Sequence, residues 1–161
     1  MCTRLALLVL LLGLAPVDAR ADEPSTWIVV PAPAFRSAVE PLEAHRRSQG
    51  HRVVRIDVAP EETADVLRDR IHAAVREARG AERPVVGVLL VGSPSPRDGD
   101  PAPVVPAFDG KVGRMRGQPT DDPYGRVGDE EAERLAVGRF PARTAPHAQA
   151  LVANTLRFET R

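Results

Sequence analysis

The stretch PVVGVLLVG, residues 84–92, is the most apolar segment of the chain beyond the first 21 residues, and it determines the fold. It carries no charged side chain and shows no alternation between apolar and polar residues. A strand that is buried on both faces of a parallel sheet has this pattern, whereas a strand with one solvated face alternates. We therefore predict that residues 84–92 form the central strand of an α/β domain.

Strand and helix patterns alternate on both sides of this central strand. The other predicted strands are TWIVVP (26–31), HRVVRIDV (51–58) and RLAVGRF (134–140). The predicted helices are AFRSAVEPLEAHRRSQG (34–50), TADVLRDRIHAAVREARG (63–80) and a last helix that Thr144 caps, with a buried stripe of Ala148, Leu151, Thr155 and Phe158. This alternation predicts a three-layer α/β sandwich around an open, parallel, four-stranded sheet in the order 2-1-3-4.

The segment between the third and fourth strands has a different composition. Residues 93–128 are rich in proline and glycine, and 109–122 show neither a helical nor an alternating pattern. We therefore predict a long functional or spacer loop after the central strand, and we assign residues 109–122 to neither a helix nor a strand. Open α/β sheets bind their ligands at this carboxyl edge, so a functional site is expected there.

The first 21 residues have the pattern of a secretory signal peptide. MCTR gives a short positive start, LALLVLLLGLAPV is an apolar core, and Ala19-Arg20-Ala21 fits the small-x-small cleavage rule. The apolar run is too short to span a bilayer core of about 30 Å. We expect a signal peptide at 1–21, export to the cell envelope or the medium, and one α/β subdomain at 22–161.

Charge and cysteine content exclude several classes of function. The chain has 22 basic and 22 acidic residues, and loss of the leader leaves a formal charge of −1, so nothing favours nucleic acid or an anionic membrane as a partner. Cys2 is the only cysteine and lies within the predicted signal peptide. The exported part would therefore contain neither a disulfide nor a thiol nucleophile.

Other catalytic and nucleotide-binding motifs lack the required spacing. No histidine stands at metal-ligand spacing to another among His45, His51, His72 and His147. VGSPS, residues 91–95, is not the G-x-S-x-G pattern that exposes a nucleophilic serine. WIVVPAPAF, residues 27–35, has prolines where a dinucleotide site has glycines. We predict no catalytic residue and no nucleotide cofactor in this chain.

Acidic residues gather before the fourth predicted strand, at Asp121, Asp122, Asp129, Glu130, Glu131 and Glu133. Segments that follow strand three and precede strand four can meet at one end of a parallel sheet. Their oxygen atoms have the chemistry to bind a hard cation such as calcium. Acidic residues also cap turns and solvate loops, and the residues alone leave both interpretations open.

Taken together, these segments resemble the N-terminal part of the gingipain family of cysteine endopeptidases. The matching segments follow one another from Trp27 to Glu159: a strand that ends in proline, PLEAHRRSQG, HRVV, LLVG, TDDPYG, LAVGRFPART and RFET. The order and spacing of LLVG, D-x-x-Y-G and VGRFPART are the most specific part. The resemblance implies a caspase-like α/β fold and an exported peptidase that cleaves polypeptides.

The resemblance also implies a calcium site. In the family, calcium lies between the acid that follows the LLVG strand and the turn after the Y-G motif. The corresponding groups here are Ser93, the carbonyl of Val127 and the carboxylate of Glu130. A serine hydroxyl at the first position removes one negative charge from such a site.

The family's catalytic residues belong to a second α/β half. Its general-base histidine follows a T-G-H-G stretch, its nucleophile is a cysteine, and this sequence contains neither motif. We therefore expect the chain by itself to be inactive and to meet its polypeptide substrate through that other half.

Three hypotheses stay open. In the first, the chain is the N-terminal subdomain of a secreted peptidase, truncated before the catalytic half. In the second, it is a stand-alone, non-catalytic exported binding domain derived from such a peptidase. In the third, it is an unrelated flavodoxin-like binding module that shares only the alternation of strands and helices. The motif order favours the first.

Overall fold

The structure, a computed structural model, describes residues 25–94, 102–111, 113–128 and 134–160. The predicted signal peptide at 1–21 lies outside these ranges. The strands are β1 (Thr26–Pro31), β2 (Arg52–Arg55), β3 (Val85–Val91), β4 (Phe108–Asp109), β5 (Pro119–Thr120) and β6 (Val137–Phe140). The helices are α1 (Arg36–Ser48), α2 (Ala64–Gly80), α3 (Asp122–Gly125) and α4 (Ala145–Glu159), with 3-10 turns at Pro33–Phe35 and Gly113–Met115. Within the described ranges, no helix has both the length and the apolar character needed to cross a membrane.

The main sheet contains four parallel strands in the order β2-β1-β3-β6. This confirms the predicted order, with β6 as the fourth strand of the main sheet. Ile28 of β1 is paired with Val88 of β3, which is paired with Val137 of β6 on its other side. β1 is buried along its whole length and β3 from Gly87 onward. Burial on both faces explains the continuous apolar runs of these two strands.

Helices cover both faces of the sheet, as predicted. α1 packs against α4 and against β1 and β2, whereas α2 packs against β3 and α3. In α2 the buried side chains recur at helical spacing, at Leu67, Ile71, Val75 and Ala78. Leu67, Ile71 and Val75 belong to the same hydrophobic core as Phe35, Val39 and Leu42, which come from the first helical segment.

The prediction that Phe158 belongs to the buried stripe of α4 is wrong. Phe158 is 79% exposed, whereas Ala148 and Val152 are the buried positions of this helix. At about 100° per residue, Phe158 lies roughly 120° around the helix from Val152. Glu159 instead turns toward α1, where it forms a 2.7 Å ion pair with Arg46.

The segment predicted as one long loop contains regular elements. Phe108 is paired with Thr120 and Asp109 with Pro119, so β4 and β5 form a short antiparallel hairpin, and α3 follows it directly. Elements this short have no measurable periodicity, which is why the sequence pattern did not indicate them. Tertiary contacts at the base of the hairpin hold it in place, as described below.

Candidate functional site

The strands β3 and β6 end side by side at the carboxyl edge of the sheet, where Val91 is paired with Phe140. Parallel sheets bind their ligands at this edge. Gly92 continues the chain from β3, and a Cβ atom there would lie 2.9 Å from the side chain of Val105. A side chain at position 92 would therefore push residues 103–105 away from the end of β3.

Ser93, the first position of the implied calcium site, is buried at this edge with 5% of its surface exposed. Its N–H donates to the carbonyl of Pro103, and its own carbonyl accepts from the N–H of Val105, each at 2.9 Å. Ser93 and Val104 thus form a parallel bridge that extends the sheet beyond β3. The returning loop is fixed to the edge by backbone hydrogen bonds.

Arg139 of β6 joins the loops that meet at this edge. Its Nε and Nη2 donate to the two carboxylate oxygens of Asp121 at 2.8 and 2.7 Å. Its Nη1 donates to the carbonyls of Val105 and Gly92 at 2.8 and 3.1 Å, and Nη2 also donates to Pro106 at 3.3 Å. With five N–H groups and five contacts, the guanidinium is fully satisfied. The Arg139 side chain is 10% exposed, so this ion pair is largely shielded from water.

The sequence did not indicate the Arg139–Asp121 pair, although both residues lie in motifs that it singled out. The only available signal is an arginine within an otherwise apolar strand. A buried charge requires a partner, and the nearby carboxylates of the TDDPYG turn are the available ones. The choice of Asp121 over Asp122 depends on the position of α3, which sequence patterns do not give.

Tyr124 anchors the same loop from the α2 side. It is fully buried, its hydroxyl donates to the carbonyl of Pro106 at 2.7 Å, and its ring lies edge-on to Phe108 at 5.2 Å. Burial raises the pKa of the Tyr124 hydroxyl far above its ordinary value, so it stays a neutral donor. On α2, His72 places Nε2 3.2 Å from the Tyr124 carbonyl, and burial lowers the pKa of this imidazole.

The second acidic residue of the turn is held by exposed arginines. Asp122 accepts from Nε of Arg126 at 2.7 Å and from Nη1 of Arg134 at 3.2 Å. The Asp121 and Asp122 carboxylates therefore both make ion pairs. They line an open cavity of about 190 Å³ together with Gly125, Arg134, Leu135 and Val137. This volume is below the roughly 300 Å³ of a typical small-molecule pocket.

The structure describes one of the two implied calcium ligands, Val127, but not the other, Glu130. Val127 is buried, with 3% of its surface exposed, whereas Glu130 lies outside the described residues. Within the described ranges, no three histidine, cysteine or acidic side chains cluster closely enough to hold a metal. Calcium binding through Val127 and Glu130 stays a prediction.

The histidines lie at separate places in the fold. His45 is 3.2 Å from Glu159, His72 contacts Tyr124, and His147 lies on the exposed side of α4. His51 accepts or donates a 2.6 Å hydrogen bond with the hydroxyl of Ser25 at the amino edge of the sheet. No carboxylate in the described ranges is bonded to the His51 ring, so this pair lacks the third member of a triad.

Comparisons with known proteins agree with this architecture. A solved structure described as that of a protease superposes with a TM-score of 0.70 at 19% sequence identity. The superposition covers 84% of this chain and 28% of the protease chain, so this chain spans less than a third of that protein's length. At this identity the likeness shows a shared fold. No curated protein sequence gives a significant match.

The family comparison covers nearly the whole chain and confirms the resemblance drawn from the motifs. The profile of peptidase family C25, the gingipain family, matches residues 20–161. That range includes every strand and helix of the fold, together with the LLVG, TDDPYG and VGRFPART motifs. The chain belongs to peptidase family C25.

Proposed function

We propose that this chain is the N-terminal, non-catalytic α/β subdomain of an exported gingipain-like cysteine endopeptidase. The observation that carries this proposal is the match of the peptidase family over residues 20–161. Two further observations support it. The fold superposes on part of a longer protease, and the motif-bearing loops converge at one edge of the sheet.

The proposed role of the subdomain is to present a rigid carboxyl edge to the catalytic part of the enzyme. Arg139 fixes the loop at 103–106 to the end of β3 and to the TDDPYG turn. An edge that is held by buried charged hydrogen bonds does not need to reorganise when another domain or a substrate packs against it. Preorganisation of this kind lowers the entropic cost of association.

In this proposal the nucleophile is a cysteine thiolate outside residues 22–161, activated by a histidine that also lies outside them. The supporting observation is that Cys2 is the only cysteine of the chain and lies in the predicted signal peptide. A thiolate with a neighbouring imidazole is the chemistry of cysteine peptidases. The substrates would be polypeptides outside the cytoplasm.

Calcium is a further part of the proposal, as a structural ion held by the Val127 carbonyl and the Glu130 carboxylate. The test is thermal unfolding of the full chain in calcium and in a chelator. A midpoint that is higher in calcium, and that loses this dependence in E130Q, supports the site. Equal midpoints in both conditions would remove calcium from the proposal.

The function is tested by comparing two preparations in a casein-hydrolysis assay. One is residues 22–161 expressed alone, and the other is the protein that host cells export, purified with an antibody raised against residues 22–161. We expect activity in the exported protein, its abolition by a thiol-directed inhibitor, and none in residues 22–161. If the exported protein is folded but inert, the peptidase proposal fails and a stand-alone binding domain takes its place.

A further inference from the structure

The hairpin formed by β4 and β5 carries three cations at its tip. Lys111, Arg114 and Arg116 are all exposed, and none of their side chains makes an ion pair or hydrogen bond with another described residue. Asp109 is the only acidic residue between positions 108 and 120. In a chain whose total formal charge is zero, this tip concentrates positive charge that is paired with no acidic side chain among the described residues.

Several arginines elsewhere in the fold have a structural partner. Arg46 is paired with Glu159, Arg55 with the buried Glu43, and Arg70 with Glu62. These ion pairs connect one element of the fold with another, so structural roles account for those arginines. The cations of the hairpin have no such role, since their removal would break no contact that the structure describes.

The base of the hairpin is held by strand pairing and by packing, so the position of the tip relative to the rest of the fold is restricted. Phe108 and Asp109 are paired with Thr120 and Pro119, and the Gly110 N–H donates to Gln118 at 2.8 Å. The ring of Phe108 packs edge-on against buried Tyr124, with its centroid 5.2 Å from that of the tyrosine. The guanidinium of Arg68 lies 5.7 Å from the Phe108 ring. A site on an anchored arm loses less entropy on binding than a site on a free loop.

We propose that this basic hairpin tip, with the side chains of Lys111, Arg114 and Arg116, is an exosite that binds acidic segments of polypeptides. The inference rests on the proposed peptidase function, to which it adds a substrate class. Guanidinium groups bind carboxylates with paired, charge-assisted hydrogen bonds, and unpaired surface cations attract acidic chains over roughly a Debye length. A polypeptide is the occupant because polypeptides are the substrates of the proposed enzyme.

The test measures binding by fluorescence anisotropy with the full chain and a labelled peptide of alternating glutamate and glycine. A second peptide, with glutamine in place of glutamate, measures the part of the binding that does not depend on the negative charge of the peptide. We expect the K111Q/R114Q/R116Q variant to bind the glutamate peptide about tenfold more weakly at low salt, from three exposed pairs of modest strength. Its thermal midpoint should stay at the wild-type value, because the replaced side chains are exposed.

A matched control removes the same charge elsewhere. R76Q/R83Q/R157Q lowers the net charge equally outside the hairpin and should bind the glutamate peptide within twofold of wild type. Equal weakening in both variants, or no weakening in the hairpin variant, overturns the exosite. Binding to heparin without binding to the glutamate peptide overturns the substrate class. If the exported protein is inert as a peptidase but the hairpin variant alone loses peptide binding, the exosite stands and the proposed function fails.

Discussion

Replacement of Arg139 by methionine tests the contacts that hold the carboxyl edge together. Methionine fills a similar volume and removes all five N–H donors. The change leaves the Asp121 carboxylate without its partner and removes one donor each from the carbonyls of Gly92, Val105 and Pro106. R139K is the conservative variant, because a lysine keeps the charge but has three donors in place of five.

The expected loss of stability follows from the burial of the Arg139–Asp121 ion pair. Removing one partner of a buried ion pair costs about 3–5 kcal/mol. Arg139 is 10% exposed, but the Asp121 side chain is 25% exposed, so water can partly solvate the carboxylate that is left behind. We therefore place R139M near the lower end, at about 3 kcal/mol of lost stability. R139K should cost less, about 1–2 kcal/mol, since it keeps part of the charge-assisted bonding.

The assay is equilibrium unfolding in urea, followed by the fluorescence of Trp27. This is the only tryptophan in the chain, and it lies 7% exposed in β1, so its emission reports on the main sheet. R126M serves as the control, because the Arg126 pair with Asp122 is exposed and should be worth less than about 1 kcal/mol. An R139M variant no less stable than R126M would contradict the role assigned to Arg139.

Three further predictions test separate parts of the fold. A Cβ at Gly125 would lie 2.6 Å from the Leu135 carbonyl, so G125A should cost about 1–3 kcal/mol in urea unfolding, whereas G138A meets nothing within 4 Å and should be nearly neutral. Thr144 accepts from the His147 N–H at the start of α4, so T144A should lower stability by about 1 kcal/mol, seen as a lower thermal midpoint. The pKa of His72 is lowered from 6.5 in the fold, chiefly by burial, so the unfolded chain binds the proton more readily. Stability should therefore fall as the pH drops from about 7 to 5, and H72Q should show a shallower fall over that interval in pH-dependent urea unfolding.

The sheet was predictable because its central strands are long enough for burial on both faces to produce a recognisable apolar run in the sequence. The apolar runs of β1 and β3 and the helical spacing in α2 each extend over several turns or residues, and consecutive β-α-β units allow few topologies. The order β2-β1-β3-β6 follows from these patterns. Phe158 was predicted to be buried because its spacing from Leu151 and Thr155 is helical, yet near the end of α4 it is exposed to solvent. Glu159, the next residue, is the one that faces α1, where it pairs with Arg46.

The edge of the sheet was less predictable because its contacts join residues far apart in sequence. Arg139 is 47 residues from Gly92 and 18 from Asp121, and no local pattern encodes such pairs. The sequence did place acidic residues near this edge. It did not show that Asp121 and Asp122 are held by arginines, because that depends on the positions of α3 and the β4-β5 hairpin.

The most direct test of the proposed function is to find the reactive thiol. The exported protein is captured with an antibody against residues 22–161, treated with a thiol-directed peptidase probe, digested and analysed by mass spectrometry. We predict one labelled cysteine, in a polypeptide that also contains peptides from Thr26 to Glu159, with labelling abolished by prior inhibition. Recovery of those peptides with no labelled cysteine in the same polypeptide would contradict the proposal that this subdomain belongs to a working cysteine peptidase.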